Sequence, residues 1–595
     1  MIIPRLHLPR PSRTHWIGIL LLVGGISVGL RLAQLMVVEH RALDGMARAQ
    51  AEDVVEIPGP RGDIVDRHGR LLATSVPIQV LAIEPRKVSQ SGLAQLEAAA
   101  GVPGRLTKRA MARWLLVRRD CDDQVVAAVN DLAAKKIVPA EALHWGPGFR
   151  RMYPHGELAA HVLGFVTLDE SLAEGVEKTY DHLLRSGETR VLRATDARRQ
   201  QLGGLGGSAC PASASSLMLT IDIRIQEKLE AALKQAVEEH SAKSAQGIVV
   251  DPGTGEILAL ANYPAYDPNK FNQVDQELLR NRAIEWPFEP GSVMKPLTAT
   301  ALAEYHKVGY GDTVYCEGGH WKRGKWTISD THAHGSLTIA EVIAYSSNIG
   351  IAKFAQRLTG EQLYSTLTGL GLGGRSGIDL PAENGGRLAS WKQWHGTDRD
   401  VIAFGHSLML TTLQLAQAYA TIAHGGVRVQ PHVARAWGSP DGQWHETRPA
   451  PSQRVVSEEA AGQVALWMLG VVENPGGTGH KAAVDGYRVA GKTGTAEKLV
   501  GGHYDKTKNI STFAGFAPLA NPAAVVTISL DEPMEGGRTG GAVSAPAFAD
   551  VMAETLRLLH VEPDYYMPPA VDAPVKAQQA KSDASAAAGR GGKRG

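Results

Sequence analysis

Apolar residues fall along this chain in three rhythms, and each predicts a different kind of element. The first is an unbroken run. Trp16 to Leu30 is uncharged and mostly apolar, and Leu32 to Val38 extends it past Arg31. A membrane-crossing helix needs about 20 such residues, and an arginine near one end can stretch its head group toward the interface. The second rhythm is helical. It occurs in runs such as Leu93 to Ala100 and Val125 to Ala134, so the stretch from about Val88 to Ala142 is predicted as helices. Ile225 to Glu238 reads the same way. The third rhythm is short and bounded by turn residues. Ile64-Val65-Asp66 and Leu71-Leu72-Ala73 flank Arg67-His68-Gly69-Arg70, and Gly247 to Val250 and Ile257 to Ala261 flank Asp251-Pro252-Gly253-Thr254-Gly255. Both patterns predict hairpins.

Beyond the second hairpin the rhythm changes twice. Helical segments dominate from Ser292 to His424, strands return at Gly486 to Thr495, Ser511 to Ala517 and Ala523 to Leu530, and a last helix covers about Ala545 to Leu558. With a strand at Leu217 to Ile221 as its opening, this is an α+β pattern: one sheet assembled from distant segments, with helices packed on it. Gly203 to Ser215 is rich in Gly, Ala and Ser and lacks periodicity, as a linker does. Beyond Asp564 the composition turns to Pro, Ala, Lys and Gly, which predicts disorder. The expected layout is therefore a tail at 1–15, a membrane helix at 16–38, a first domain at 39–202, a linker at 203–215, a second domain at 216–563 and a disordered tail at 564–595.

Arg5, Arg10 and Arg13 precede the apolar run, so the positive-inside rule puts residues 1–15 in the cytoplasm and the bulk outside. No small-residue cleavage site follows closely, which favours an uncleaved anchor over a signal peptide. The formal net charge of +1 gives no bulk electrostatic case for nucleic acid. Cys121, Cys210 and Cys316 are odd in number and irregularly spaced, which fits neither a disulfide framework nor a metal cluster, although a single bridge stays open.

Three short motifs carry the chemistry: Ser292-Val293-Met294-Lys295, Ser346-Ser347-Asn348 and Lys492-Thr493-Gly494-Thr495. Residues three apart on a helix share a face, so Lys295 is expected beside Ser292, where a neutral amine would activate the hydroxyl. Burial and a second cation, Lys492, would lower the lysine pKa. Pro296 is at home in a first helical turn, so the helix should begin near Ser292, with its unpaired N–H groups available to an oxyanion. Thr338-Ile339-Ala340-Glu341 reads as a capping box ahead of the second motif. Ser346 is placed to pass a proton, and the Asn348 amide to hold a substrate carbonyl. The third motif is expected at the end of a strand. There Gly494 permits close approach of an extended peptide, and Lys492 and Thr493 meet a terminal carboxylate.

A competing pattern overlaps the third motif. Gly486 to Thr493 fits the phosphate-loop spacing G-x-x-x-x-G-K-[ST], and Ala523 to Asp531 resembles a magnesium-binding strand end, which would suit a nucleotide hydrolase. A phosphate loop must open a helix, however, and Gly494 follows Lys492 too closely for that.

The ordered set of motifs resembles the class B penicillin-binding proteins, in particular the FtsI-type septal peptidoglycan transpeptidases. Arg61-Gly62-Asp63-Ile64-Val65-Asp66-Arg67, Gly175-Val176-Glu177-Lys178, Leu219-Thr220-Ile221-Asp222, Phe288 to Pro296 and Gly540 to Phe548 add to the likeness. The resemblance implies an elongated periplasmic pedestal and a penicillin-binding transpeptidase domain with an antiparallel sheet between helical layers. It implies that Ser292 attacks the penultimate D-alanine carbonyl of a stem pentapeptide, with Lys295 as base and Ser346, Asn348 and Lys492 assisting. It also implies an oxyanion hole from the Ser292 and Thr495 N–H groups, carboxylate contacts from Thr493 and Thr495, inhibition by β-lactams, and no metal or organic cofactor. The implied setting is the inner membrane, beside an FtsW-type glycan polymerase and other division proteins. An elongation-type sibling shares the fold. A class A β-lactamase would need an E-x-x-x-N motif between the second and third motifs; Glu277 to Asn281 has the spacing but precedes Ser292.

Overall fold

The computed structural model describes residues 13–38, 52–186, 188–194, 214–309, 311–324, 326–501 and 503–564. Arg5, Arg10, Cys210, the expected linker up to residue 213 and the tail beyond residue 564 lie outside them. The first described element is the helix Arg13–Ala33, continued by wider turns over Gln34–Val38. Its apolar span, Trp16–Val37, is 22 residues long and wholly exposed. At 1.5 Å per residue that is about 33 Å, enough to cross a hydrocarbon core of about 30 Å.

The rest of the chain packs as two units. One takes the described residues within 1–60, 77–149 and 186–213, and the other those within 61–76, 150–185 and 214–564. In the first unit, Glu52–Pro58 pairs antiparallel with Glu188–Ala194. Helices Gln90–Ala100 and Asp123–Ala134 form as their periodicity predicts, with Ser89 and Asp122 capping them. Between them the sequence expectation fails: Leu115–Cys121 is a strand, pairing with Gln79 to Ile83. Leu115, Val117 and Cys121 enter the core, but Leu116 is half-buried and Arg119 is exposed, so the two-residue period is broken and lies hidden inside a region of helical spacing.

The second unit is built on an antiparallel sheet. Its elements in chain order are α1 (Ile223–Glu239), β1 (Ser244–Val250), β2 (Ile257–Tyr263), α2 (Lys295–Glu304), α3 (Ile339–Ala344), α4 (Asn348–Ala355), α5 (Thr412–Ala423), α6 (Glu458–Glu473), β3 (Ala490–Val500), β4 (His503–Ala517), β5 (Ala524–Asp531) and α7 (Gly540–Leu558). The strand order is β3-β4-β5-β1-β2, so the first and last pairs are hairpins and the central β5–β1 pairing joins distant parts of the chain. Every residue of β1 and β5 is buried, because helices cover both faces. Alternation sorts the side chains. Val249, Phe513, Val526 and Ile528 pack with α1 and α7, while Ile248, Val250, Ala514 and Val525 join the larger core with Leu297, Leu415, Tyr419 and Met468. The sheet between helical layers is the expected fold. The short hairpin also forms, with Ile64 opposite Ala73 and Val65 opposite Leu71.

Two local expectations need correction. Residues 486–489 are not strand: Gly486 turns at φ +83°, Val484 bridges Tyr487, and the Arg488 N–H is held by Asp564. The strand starts at Ala490, so the Lys492 motif lies near its beginning and not at its end. The helical region also contains short strands, Thr313–Tyr315 with Ser336–Thr338 and His320–Arg323 with Trp326–Ser329, too brief to show a period.

Candidate active site

Ser292 lies in a tight turn, Gly291–Met294, that runs directly into α2. Pro296 occupies the first turn of that helix, where its missing N–H removes no bond. The turn is wedged between two backbones. Gly291 has φ +59°, and a Cβ there would lie 2.9 Å from the Thr495 carbonyl oxygen. On the other side the Gly291 N–H donates to the Gly405 carbonyl at 3.1 Å, while Phe288 and Leu410 exchange a pair of backbone bonds. The Ser292 turn is thus seated against β3 by backbone contact that only glycine permits.

Residues Lys295 to Ala303 are all buried, including Lys295 itself at 0% exposure. Its Nζ lies 2.9 Å from Ser292 Oγ and 3.0 Å from Ser346 Oγ, with the Ser346 carbonyl as a third partner. Burial brings its pKa down to about 7, with the charge of Asp330 opposing the shift. A neutral amine has two hydrogens and one lone pair. The Ser346 carbonyl can only accept, so it takes one hydrogen. If Ser346 Oγ takes the other, the lone pair faces the Ser292 proton, which is the geometry of a general base.

Ser346 reaches Lys295 twice because its own backbone is left-handed, φ +62°, a conformation costing a non-glycine residue about 1 kcal/mol or more. The expected capping box at Thr338 and Glu341 starts α3, and the chain turns at Ser346 before α4 begins at Asn348. Asp330 fixes that turn. Its Oδ1 accepts the N–H groups of Asn348 at 2.6 Å and Ile349 at 3.0 Å, and its Oδ2 accepts the Ser347 hydroxyl. Ser347 in turn caps α4 through the Gly350 N–H at 2.8 Å. The Asn348 side-chain amide donates to the Ser329 carbonyl at 3.0 Å, which orients it along the strand Trp326–Ser329.

β3 supplies the opposite wall and is an edge strand of the sheet. Lys492 is wholly buried and donates to the carbonyl and hydroxyl of Thr493 at 3.2 and 3.1 Å. Burial first, and then repulsion from Lys295, holds its pKa well below the ordinary lysine value. Of the two expected causes, burial is the one that lowers Lys295, and Lys492 is not among the groups that shift it. The Thr493 hydroxyl also meets Thr478 Oγ1 at 2.7 Å. Gly494 sits where a Cβ would come within 2.9 Å of Val293 Cγ1 and 3.0 Å of the Pro290 carbonyl. Thr495 is exposed, and its hydroxyl accepts the Gly540 N–H at 3.2 Å.

Direct hydrogen bonds thus join Ser292, Lys295 and Ser346. Lys492 joins them through its electrostatic coupling to Lys295, Gly494 and Thr495 by packing on the nucleophile turn, and Asn348 through the Asp330 cap. Gly491 to Thr493 lie within a strand, so the overlapping phosphate-loop pattern does not open a helix here. Among the described residues no group of three or more His, Cys, Asp and Glu is placed to hold a metal, and Cys121 and Cys316 are buried free thiols. Asp330 escaped sequence reasoning because its partners lie about 17 residues downstream and no local spacing links them.

Comparison with known proteins bears on the whole chain and not on single residues. Residues 246–553 match the family described as penicillin binding protein transpeptidase domain, and residues 56–206 match the penicillin-binding protein dimerisation domain. The chain is 34% identical over 517 residues to the probable peptidoglycan D,D-transpeptidase PenA of Neisseria meningitidis, covering 85% of this chain and 86% of that one. It is 32% identical over 563 residues to the peptidoglycan D,D-transpeptidase FtsI of Escherichia coli K12, covering 92% of each. Among solved structures, penicillin binding protein 3 of Mycobacterium tuberculosis in complex with aztreonam superposes with a TM-score of 0.67 at 29% identity, over 87% of this chain and 99% of that one. The transpeptidase domain of Burkholderia pseudomallei penicillin-binding protein 3 superposes with a TM-score of 0.52 at 38% identity, over 59% of this chain and 98% of that one.

Proposed function

Because the chain belongs to the class B penicillin-binding proteins and is a peptidoglycan D,D-transpeptidase, we propose that it cross-links stem peptides at the division septum with Ser292 as nucleophile. The observation that carries the assignment of the nucleophile is the wholly buried Lys295 amine, pKa about 7, placed 2.9 Å from Ser292 Oγ.

Ser292 Oγ bonds to the penultimate D-alanine carbonyl carbon of a stem peptide as its proton passes to Lys295. The oxyanion forms opposite the N–H groups of Ser292 and Thr495. The C–N bond to the terminal D-alanine breaks, and the proton returns through Ser346 Oγ to the leaving amine. The amine of a neighbouring stem then attacks the ester, its proton follows the same route in reverse, and Ser292 is released. Lys492, Thr493 and Thr495 bind the substrate carboxylate. Asn348 orients a substrate amide, and Gly494 admits the donor strand beside the edge of β3. β-Lactams enter as mimics of the D-alanyl-D-alanine end, a reading supported by the aztreonam complex of the mycobacterial relative. No E-x-x-x-N motif lies between the second and third motifs to supply a carboxylate base for water, so the acyl-enzyme waits for an amine.

The apolar helix Trp16–Val37 gives a single-pass anchor in the inner membrane. We assign its N-terminal side to the cytoplasm, residues 39–202 to a periplasmic pedestal and residues 216–563 to the transpeptidase domain. The protein would then act beside an FtsW-type glycan polymerase. Mass spectrometry of the penicillin adduct tests the chemistry: a penicilloyl group on the peptide containing Ser292, lost in Ser292→Ala, is expected. A label that persists in that variant rules Ser292 out. Lys295→Arg keeps the charge and should lose acylation, so a normal rate there removes Lys295 as base. Depletion in the native cell should give filaments. Round or lysing cells without filamentation would point to elongation instead.

A further inference from the structure

The residue three places ahead of Ser292 is held in a way the acyl-transfer scheme does not use. Glu289 Oε1 accepts the Ser407 N–H at 2.9 Å, and its Oε2 lies 3.1 Å from His406 Nδ1. The Tyr504 hydroxyl lies 3.0 and 3.2 Å from the two carboxylate oxygens and 3.2 Å from the same His406 nitrogen. The two rings meet edge to face at 5.4 Å. Burial pushes the Glu289 pKa upward, but hydrogen bonds and charge from His406, with bonds from Ser407 and Tyr504, bring it below the ordinary value, so it stays a carboxylate. Burial and the adjacent carboxylate raise the Tyr504 pKa, so the phenol keeps its proton and donates it.

The three side chains come from three parts of the chain. Glu289 leads into the nucleophile turn. His406 follows Gly405, whose carbonyl receives the Gly291 N–H. Tyr504 lies near the tip of the β3–β4 hairpin, opposite Leu499. That hairpin needs an external tie. Its register runs regularly from Ala490 to Glu497 opposite Asn509 and then jumps, with Lys498 opposite Asp505, so residues 506–508 have no partner in β3. Beyond the jump the ladder no longer fixes the outer hairpin to its base. Side-chain contacts do so, among them the bond from Arg538 Nη1 to the Lys506 carbonyl at 3.3 Å. Lys498 reaches Asp531 and Glu532 at 2.9 and 2.7 Å, and Tyr504 reaches Glu289.

We infer that Glu289, His406 and Tyr504 form a clasp that ties the hairpin tip to the nucleophile turn, which makes Tyr504 and His406 positioning residues for acyl transfer. They act through Glu289 on the aim of Ser292 and through the hairpin on the edge of β3. The inference rests on Ser292 being the nucleophile.

The test uses the full chain in detergent and a fluorescent penicillin in stopped flow, resolving the saturating acylation rate from the binding constant, with hydrogen exchange over residues 496–508. Tyr504→Phe removes one hydroxyl bonded to a carboxylate. It should lower the saturating rate about three- to tenfold, speed exchange in the hairpin and leave the melting temperature within ~2 °C. His406→Ala should act in the same direction. His406→Asn, whose amide nitrogen overlays Nδ1, should recover most of that loss. A Tyr504→Phe rate equal to wild type, unchanged hairpin exchange, or a His406→Asn variant no better than His406→Ala would overturn the clasp. Wild-type protein that fails to label at Ser292 would instead remove the nucleophile assignment, so the two failures are distinct.

Discussion

The pH dependence of acylation follows directly from the state of Lys295. With its pKa at about 7, the neutral fraction is about 0.09 at pH 6, about 0.5 at pH 7 and about 0.9 at pH 8. The saturating acylation rate should therefore rise about tenfold from pH 6 to pH 8 and then level off. An ordinary lysine would instead give a rate still climbing tenfold per unit at pH 9. Stopped-flow labelling with a fluorescent penicillin reads the rate directly. The same profile decides what lowers the pKa. Burial and Lys295 hold the Lys492 pKa well below the ordinary lysine value, and Lys492 is not among the groups that shift Lys295. Lys492→Met should weaken substrate binding but leave the midpoint within about 0.5 unit. If the midpoint of that variant moves toward the ordinary lysine value, Lys492 and not burial is the cause. If the wild-type rate climbs with unit slope beyond pH 8.5, Lys295 is not the neutral base.

Three further perturbations probe the same site. Lys295 has a folded pKa of about 7 against an ordinary 10.5, so between those values the unfolded chain binds the extra proton, stability rises with pH, and the full penalty applies below about 7. At about 1.4 kcal/mol per unit, less about 1 kcal/mol for each lost hydrogen bond, Lys295→Met should gain about 2 kcal/mol at pH 7 and lose that advantage toward pH 10. Thermal melts at both values check it, and a variant less stable at pH 7 would contradict it. Asp330 opposes the lowering of the Lys295 pKa, so Asp330→Asn should move the acylation midpoint below 7, while an upward shift would show that the α4 cap matters more than the charge. Gly291→Ala forces a Cβ to 2.9 Å from the Thr495 carbonyl at a left-handed φ. It should cost about 2 kcal/mol of stability and at least about tenfold in acylation, as measured by melting and by labelling rate.

The sheet and the catalytic contacts differ in how much of them can be read from sequence. Short, nearly continuous apolar runs at Gly247 to Val250 and Ala523 to Leu530 reveal strands because both faces of the sheet are covered, and the i, i+3 spacing of Ser292 and Lys295 reveals their contact because a helix imposes it. The state of Lys295 is also partly visible in retrospect: Lys295 to Ala303 reads K-P-L-T-A-T-A-L-A, without a polar stripe, which is the pattern of a helix buried on every side. Other features have no local signature. Tyr487 to Val489 has β-forming residues, yet the side chain of Asp564 takes the Arg488 N–H and keeps it out of the ladder. The strand Leu115–Cys121 is too short for its alternation to stand out between two helices. Asp330 and Tyr504 matter only through partners that folding delivers.

The placement of the third motif on an edge strand explains several of these features together. An unpaired edge invites adventitious pairing, and proteins usually cover it or break it. Here β3 stays open from Ala490 onward, and its register with β4 breaks only past Glu497, beyond Lys492-Thr493-Gly494-Thr495. The straight part of the edge therefore coincides with the residues proposed to bind substrate, and the irregular part begins after them. A donor peptide lying along that edge would supply the missing strand, with its scissile carbonyl fixed in register by pairing to β3, the strand that packs at Thr495 against Gly291. Selectivity for an extended D-alanyl end would then follow from main-chain pairing, because only one carbonyl is presented to Ser292. Inserting a single residue between Gly491 and Lys492 would shift the motif by one position along the edge and turn alternate groups away from Ser292. Such a variant should fold, as judged by an unchanged far-ultraviolet spectrum, yet lose transpeptidation of pentapeptide stems. Retained cross-linking would show that the edge ladder does not set the register of the substrate.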